Sequence, residues 1–180
     1  MLMNHETSVL LIIDVQSSLA PVIQNSDHVI ENCIWLAGVA RKMGVPIIVT
    51  EHFPDKIGHT VDALKTAAPD ARYVSKTFFS AQSGGCLRAT EVSLRSQVII
   101  CGTEAHVCVQ QTALDLRWIG KEVFVVAEAV GSRADFDRDL ALQRMRDNGI
   151  EVVSREMVAF EWLQRGGTEM FREVHGEFIR

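Results

Sequence analysis

The sequence predicts an α/β fold, a three-layer α/β/α domain around a central, mostly parallel sheet of six strands. Short β-branched runs alternate with longer stretches of helical period, which is the pattern of βαβ units. Several of these runs, VLLIIDV, PIIVT, QVIICG and VFVVA, are almost continuously apolar. Strands covered by helices on both faces have this composition. A chain of 180 residues fits one domain, residues 1–180.

The six predicted strands are short, rich in β-branched residues and bounded by turn-forming residues. They are Val9–Val15, Pro46–Glu51, Arg72–Ser75, Gln97–Cys101, Glu122–Ala127 and Glu151–Ser154. The segment His52–Thr60 contains Pro54 and Gly58, so we expect a loop there.

Helices are predicted between the strands. Apolar residues repeat at spacings of three and four from Val29 to Met43, and Gly44 ends this helix. A second helix is predicted from Val107 to Trp118, directly after the fourth strand, with an apolar face toward the sheet. Further helices are expected over Gly85–Leu94, Asp137–Asn148 and Met157–Phe178.

Composition excludes several classes of function. The chain is 47% hydrophobic and 23% charged, which is ordinary for a globular protein. Its net charge is −5 and its Lys and Arg residues are scattered, so neither nucleic acid nor an anionic membrane is an expected partner. Residues 1–8 lack the basic start of a signal peptide, and we expect a cytoplasmic protein. The cysteines are widely spaced and are expected to be free thiols. They are Cys33, Cys86, Cys101 and Cys108.

Three reactive side chains fall where predicted strands end. Asp14 lies near the end of the first strand, Lys76 just after the third, and Cys108 one turn beyond the fourth. Ligands of open α/β sheets collect at this edge. A cysteine at a helix start is expected to have a pKa below the usual value of about 8.5, and a nearby ammonium favours its thiolate further. A carboxylate could hold the lysine and move a proton to a leaving group, so the three form a nucleophilic set.

Three segments carry a family resemblance: LLIIDVQ, VSKTFFSA and IICGTEAHVCVQQTALDL. They resemble the signature blocks of isochorismatase-like cysteine hydrolases, and especially the isochorismatase-domain-containing subgroup, whose substrate is unassigned. The resemblance extends from Val9 to about Leu163. It implies that Cys108 is the nucleophile, Asp14 the base, and Lys76 a residue that stabilises charge.

The resemblance also implies the geometry of the turn before the nucleophile. A cis peptide bond is expected between Thr103 and Glu104, a geometry that usually persists only at functional sites. The backbone amides of Glu104 and Cys108 would then form an oxyanion hole, in which one donor stabilises a transition state by about 3 kcal/mol. The implied activity is hydrolysis of a small amide-like C–N bond.

This chain departs from one branch of the superfamily in the residues that could bind a metal. Nicotinamidases bind a metal through an Asp-x-His motif after the second strand, whereas this chain offers Glu51, His52 and His59 in TEHFPDKIGHT. Because this set is incomplete, we expect no metal, and nicotinamide is disfavoured as the substrate. Neither G-x-G-x-x-G nor a P-loop follows any predicted strand, so no nucleotide cofactor is expected.

Other features leave alternatives open. His106 either lines the pocket or caps the local structure, and Phe79 is a candidate wall of an apolar pocket. We expect a small-molecule substrate and, from the resemblance, a homo-oligomer, either a dimer or a tetramer. The alternatives are vinyl-ether hydrolysis of the isochorismatase type and a catalytically silent binding or scaffold protein. The intact set of Asp14, Lys76 and Cys108 argues against a silent scaffold.

Overall fold

The computed structural model describes residues 1–179 and has a six-stranded sheet in the order β3-β2-β1-β4-β5-β6. The strands are β1 (Ser8–Ile13), β2 (Ile47–His52), β3 (Arg72–Lys76), β4 (Gln97–Thr103), β5 (Glu122–Gly131) and β6 (Glu151–Val153). Each pair of neighbouring strands is parallel. The predicted fold class is confirmed, and the sheet is parallel throughout rather than mostly so.

The helices fill the connections between these strands. They are α1 (Ser26–Lys42), α2 (Pro54–Ile57), α3 (Asp62–Ala67), α4 (Glu91–Leu94), α5 (Gln110–Trp118), α6 (Asp135–Asp147), α7 (Arg155–Leu163) and α8 (Glu169–Val174). A 3-10 turn spans Ala20–Val22, and π-helical turns span Ala105–Val109 and His175–Ile179. None of the helices within residues 1–179 is long and apolar enough to cross a membrane.

Two helix predictions and one loop prediction require correction. The single helix predicted over Met157–Phe178 is broken between α7 and α8, where Gln164 and Gly167 have positive φ angles of 62° and 79°. The helix predicted over Gly85–Leu94 forms only at its end, as α4, after a series of turns. The loop predicted over His52–Thr60 contains the short helix α2, which Pro54 can begin because that position needs no amide donor.

Both faces of the sheet are buried, as the apolar strands require. Along β1, Leu10 and Ile12 pack into one hydrophobic cluster with residues of α1 and with Trp162 of α7. Val9, Leu11 and Ile13 point the other way into a second cluster with α5 and α6. Successive residues of a strand face opposite sides of the sheet, so an apolar run is needed when helices cover both.

The strand order determines where a site can form. The chain runs outward from β1 to β2 and β3, then crosses to β4 on the other side of β1. The strand order therefore reverses between β1 and β4, and the crevice at the carboxyl ends of such strands is the usual ligand site of an open α/β sheet.

Gly102 in β4 allows a close approach between the two strands at this reversal. Its φ is +132°, and a Cβ at this position would lie 2.6 Å from the backbone nitrogen of Ile13 and still closer to its oxygen. We expect Gly102→Ala to lower the free energy of unfolding by about 3 kcal/mol, since backbone strain and overpacking add. Urea unfolding measures the loss.

Gly44→Ala is the matched control for this prediction. Gly44 also has a positive φ, +69°, but a Cβ there has no neighbour within 4 Å. We expect it to cost only about 1 kcal/mol, from backbone strain alone. Equal losses in the two variants would show that the approach of Ile13 to Gly102 is unimportant.

Candidate active site

Asp14 directly follows β1, and its carboxylate is buried between two neighbouring strands. Its Oδ1 accepts a hydrogen bond of 2.6 Å from the hydroxyl of Thr50 at the end of β2. Its carbonyl oxygen accepts another of 2.6 Å from the hydroxyl of Thr103 at the end of β4. The backbone of Asp14 is left-handed, with φ of 53°, a conformation that Asp tolerates better than most residues. The carboxylate is thereby held in one orientation.

Lys76 is the last residue of β3 and reaches across β2 to Asp14. Its Nζ lies 2.6 Å from Asp14 Oδ2, and both side chains are 0% exposed. The ammonium also donates to the carbonyl of Phe78 at 3.3 Å and lies 3.4 Å from His52 Nδ1. A buried charge is expensive unless it is paired and hydrogen-bonded, which both members of this pair are.

Cys108 lies in the π-helical turn between β4 and α5, close to both charges, and the residue is 4% exposed. Burial and, next to it, the Asp14 carboxylate raise the pKa of its thiol to about 12, although the Lys76 ammonium acts in the opposite direction. The sequence prediction of a lowered pKa is therefore wrong, because burial and Asp14 outweigh Lys76. Near neutral pH the residue is a thiol with a carboxylate beside it that can accept its proton.

The turn before Cys108 is made without a cis peptide. All peptide bonds within residues 1–179 are trans, so the cis bond expected between Thr103 and Glu104 is a wrong prediction. Positive φ angles at Gly102 (132°) and Glu104 (55°) bend the chain instead. The amides expected to form an oxyanion hole, those of Glu104 and Cys108, both belong to this turn.

The side chains of Glu104 and His106 contact the segment that follows β5. Glu104 pairs with Arg133 at 3.0 Å, and its other carboxylate oxygen lies 3.5 Å from His106 Nδ1. The same ring nitrogen of His106 is 2.9 Å from the hydroxyl of Ser132. These contacts favour the local structural role for His106 over the substrate-binding role.

The three residues considered as metal ligands do not converge. Glu51 accepts hydrogen bonds from the amide and hydroxyl of Thr60 at 2.7 and 2.8 Å and lies 3.0 Å from His59 Nδ1. His52 is the next residue along β2, so its side chain points to the opposite face and toward Lys76. Within residues 1–179 no three His, Cys, Asp or Glu side chains are grouped to hold a metal. Glu51 instead fixes the loop that ends at Thr60.

An open cleft of about 760 Å³ lies beside the buried side chain of Lys76 and is lined in part by the residues that follow it. It is lined by Phe53, Thr77, Phe78, Phe79, Ser80, Ser83, Gln111, Leu114 and Asp115. Phe79, predicted as a pocket wall, is 52% exposed, and its ring packs 5.5 Å from that of His52. The only charged residue of the lining, Asp115, already accepts hydrogen bonds of 2.6 and 2.5 Å from Ser80 and Ser83. The lining of the cleft therefore combines three phenylalanine rings with polar side chains and includes no cationic residue.

The residues that hold Asp14 and Lys76 in place were not predicted from the sequence. Thr50 and Thr103 fix Asp14, and His52 contacts Lys76 although its sequence context suggested a metal ligand. The available signal was Thr50, a hydroxyl residue at the end of the otherwise apolar run PIIVT. Its importance depends on the pairing of Ile13 with Thr50 between β1 and β2.

Comparison with known proteins gives consistent matches along the chain. The model of the isochorismatase domain matches residues 8–157. Isochorismatase domain-containing protein 2 of Danio rerio is 36% identical over 177 residues, which cover 96% of this chain and 87% of that protein.

Two solved structures are similar over almost all of the chain. The MAR1 ribonuclease of Caenorhabditis elegans is 33% identical, with a TM-score of 0.93 over 100% of this chain and 93% of that one. The YcaC gene product of Escherichia coli, described as an octameric hydrolase of unknown specificity, is 25% identical. Its TM-score is 0.89 over 99% of this chain and 91% of that one.

Proposed function

Because this chain belongs to the isochorismatase family of hydrolases, we propose that it hydrolyses a small amide-like C–N bond with Cys108 as the nucleophile. The observation that supports this most is the buried ion pair of Asp14 and Lys76, 2.6 Å apart, beside the Cys108 thiol. A buried ion pair contributes little net stability, so its placement against a nucleophile favours a chemical role.

The proposed reaction begins with proton transfer from the thiol. As Cys108 Sγ bonds to the carbonyl carbon, Asp14 takes the thiol proton and the C=O π electrons move to oxygen. The amides of Glu104 and Cys108 donate to that oxyanion, and the positive charge of the nearby Lys76 ammonium stabilises it further. Asp14 then gives its proton to the leaving nitrogen as the C–N bond breaks, which leaves a thioester. Water then attacks the thioester carbonyl as Asp14 accepts a proton from it, and Asp14 returns that proton to the sulfur as the C–S bond breaks, which releases the carboxylic acid and restores the Cys108 thiol.

The cleft favours a neutral substrate with an apolar or aromatic group. Phe53 and Phe79 form its wall beside His52, and its one charged residue is the acid Asp115. This lining disfavours the vinyl-ether alternative, because isochorismate itself is a dicarboxylate that needs cationic partners. It also disfavours a polyanionic nucleic acid, as does the net charge of −5. A small neutral molecule is the proposed substrate.

We propose that the protein is a homo-oligomer and is cytoplasmic. Large apolar side chains of α5 and α6 are exposed, namely Trp118, Phe136 and Leu140. We propose that they contribute to a subunit interface, since large apolar side chains are often exposed at such sites. The E. coli relative is described as an octamer, so assemblies larger than the expected dimer or tetramer are included. The four cysteines are free thiols, as is usual in a reducing compartment.

A panel of small compounds tests the proposed activity. We expect neutral aromatic and aliphatic amides to be hydrolysed, with release of ammonia or an amine, and their carboxylate-bearing analogues to react more slowly. Intact-mass measurement after rapid acid quenching should show an acyl adduct on Cys108. Cleavage of vinyl ethers without any adduct would favour the isochorismatase-type alternative. Absence of turnover across the panel, with ligands still binding, would favour a silent binding protein.

A further inference from the structure

His52 lies at the meeting point of the ion pair and the aromatic cleft. Its ring is buried at the end of β2, with Phe53 packed edge-on at 4.9 Å and Phe79 tilted at 5.5 Å. Its Nδ1 is 3.4 Å from Nζ of Lys76. The mechanism proposed above gives this imidazole no role.

The contacts of Lys76 define what His52 can do. An ammonium has three N–H donors and accepts no hydrogen bond. One donor is directed to Asp14 at 2.6 Å and a second to the carbonyl of Phe78 at 3.3 Å. The third can be satisfied by His52 only if Nδ1 carries no proton, which requires the proton of the neutral ring to be on Nε2.

We infer that His52 is a positioning residue whose neutral imidazole accepts the third N–H of Lys76 and so holds the ammonium against Asp14 and Cys108. The inference rests on the proposed hydrolysis for its catalytic meaning, but the hydrogen bond itself does not. Protonation of His52 would replace an acceptor with a second cation beside Lys76. The active arrangement is therefore lost when His52 becomes charged on acidification.

The groups around His52 set the sign of this pH dependence. Burial lowers the pKa of His52, Lys76 lowers it further, and Asp14 and the Phe78 backbone oppose both. The thiols of Cys86 and Cys108 also lie within the field of Lys76 and Asp14, and burial raises the pKa of each. These thiols remain neutral at acidic pH, so they do not produce the acidic loss. Activity should fall as the pH drops below the ordinary histidine value of about 6.5.

Nitrogen NMR of the histidine side chains tests the hydrogen bond without any substrate. In long-range proton–nitrogen spectra of the 15N-labelled protein, the His52 signals are identified by their loss in His52→Gln. We expect the tautomer protonated on Nε2 at pH 7.5 and a titration midpoint below about 6.5. A ring protonated on Nδ1 cannot accept a hydrogen bond from Lys76 and overturns the inference. A midpoint at or above 6.5 also overturns it.

Two variants of similar size separate the hydrogen bond from ring packing. His52→Gln keeps a carbonyl acceptor, whereas His52→Leu keeps only apolar volume. For a cleaved amide we expect the Leu variant to lose about tenfold in kcat with little change in KM, as loss of a charged hydrogen bond predicts. The Gln variant should stay within about threefold of the wild type and should lose the His52-dependent acidic fall. The opposite order, Leu active and Gln impaired, would assign His52 to packing alone.

Alkylation of Cys108 by iodoacetamide separates failure of this inference from failure of the proposed function. Loss of Lys76 positioning in His52→Leu should raise the pH at which Cys108 reacts, because Lys76 lowers the pKa of that thiol. His52→Gln should leave that pH near the wild-type value. If no amide is cleaved but this difference is found, the positioning role stands and the proposed hydrolysis fails. If Leu and Gln react alike, the positioning role fails whatever the turnover.

Discussion

Replacing Cys108 by alanine is expected to abolish amide hydrolysis, with a loss in kcat of about 10⁴-fold or more, as when other covalent nucleophiles are removed. The thiol that is lost is the one within hydrogen-bonding reach of both Asp14 and Lys76. Serine at this position should be almost as inactive, because its hydroxyl is less acidic and less nucleophilic than a thiol. Ammonia release and intact mass on the same samples measure turnover and the adduct.

Cys86→Ala is the matched control for Cys108. The Cys86 thiol is half-buried and within the field of the same two charges, but it donates to the carbonyl of Ala81 at 3.4 Å. We expect this variant to retain full activity and the adduct. If Cys108→Ala keeps substantial turnover, water activated by Asp14 must attack the substrate directly. That result would remove the covalent step and favour the vinyl-ether type of chemistry.

Asp14→Asn is expected to have opposite effects on thiol reactivity and on turnover. The Asp14 carboxylate raises the pKa of Cys108, whereas Lys76 lowers it. With a neutral amide at position 14 the pKa of the thiol falls from about 12, so alkylation at pH 8 should become faster. Hydrolysis should nevertheless fall by about 10³-fold, because the residue that accepts the proton and returns it to the leaving nitrogen is gone. Alkylation kinetics and ammonia release on one preparation measure both.

Lys76→Met provides the reciprocal control. Loss of the ammonium should raise the pKa of Cys108 and slow both alkylation and hydrolysis. Each single variant leaves one buried charge unpaired, at an expected cost of about 3 kcal/mol in the free energy of unfolding. The double variant of Asp14→Asn with Lys76→Met should be more stable than either single variant.

Parallel slowing of alkylation and hydrolysis in Asp14→Asn would mean that Asp14 acts only through structure.

The sequence was sufficient to predict the layers of the fold and the proximity of Asp14, Lys76 and Cys108. Apolar runs such as PIIVT predict strands covered on both faces, and residues that follow parallel strands meet at one edge of the sheet. The sequence was not sufficient to predict where a helix ends when that end depends on a few backbone angles. The helix predicted over Met157–Phe178 is interrupted after Leu163, because Gln164 has a positive φ of 62° that periodicity does not reveal.

The properties of the site depend on depth and register, which a single sequence does not contain. The thiol of Cys108 has a raised pKa because the folded chain buries it and sets it against a carboxylate as well as an ammonium. Helix-start position alone suggested the opposite direction. The contacts of Thr50 and His52 likewise follow from how β2 is aligned with β1 and β3. These contacts can be identified only once the pairing of the strands is known.

The ion pair joins an edge strand to a central strand, so its integrity depends on the edge strand staying paired. Lys76 belongs to β3, an edge strand whose residues Arg72 and Tyr73 are exposed, while Asp14 follows the central strand β1. Edge elements with exposed backbone open locally at lower free energy than the core of a domain. Detachment of β3 would withdraw the cation while the other five strands stay paired. We therefore expect the Asp14–Lys76 ion pair to open by detachment of β3, at a free energy below that of global unfolding.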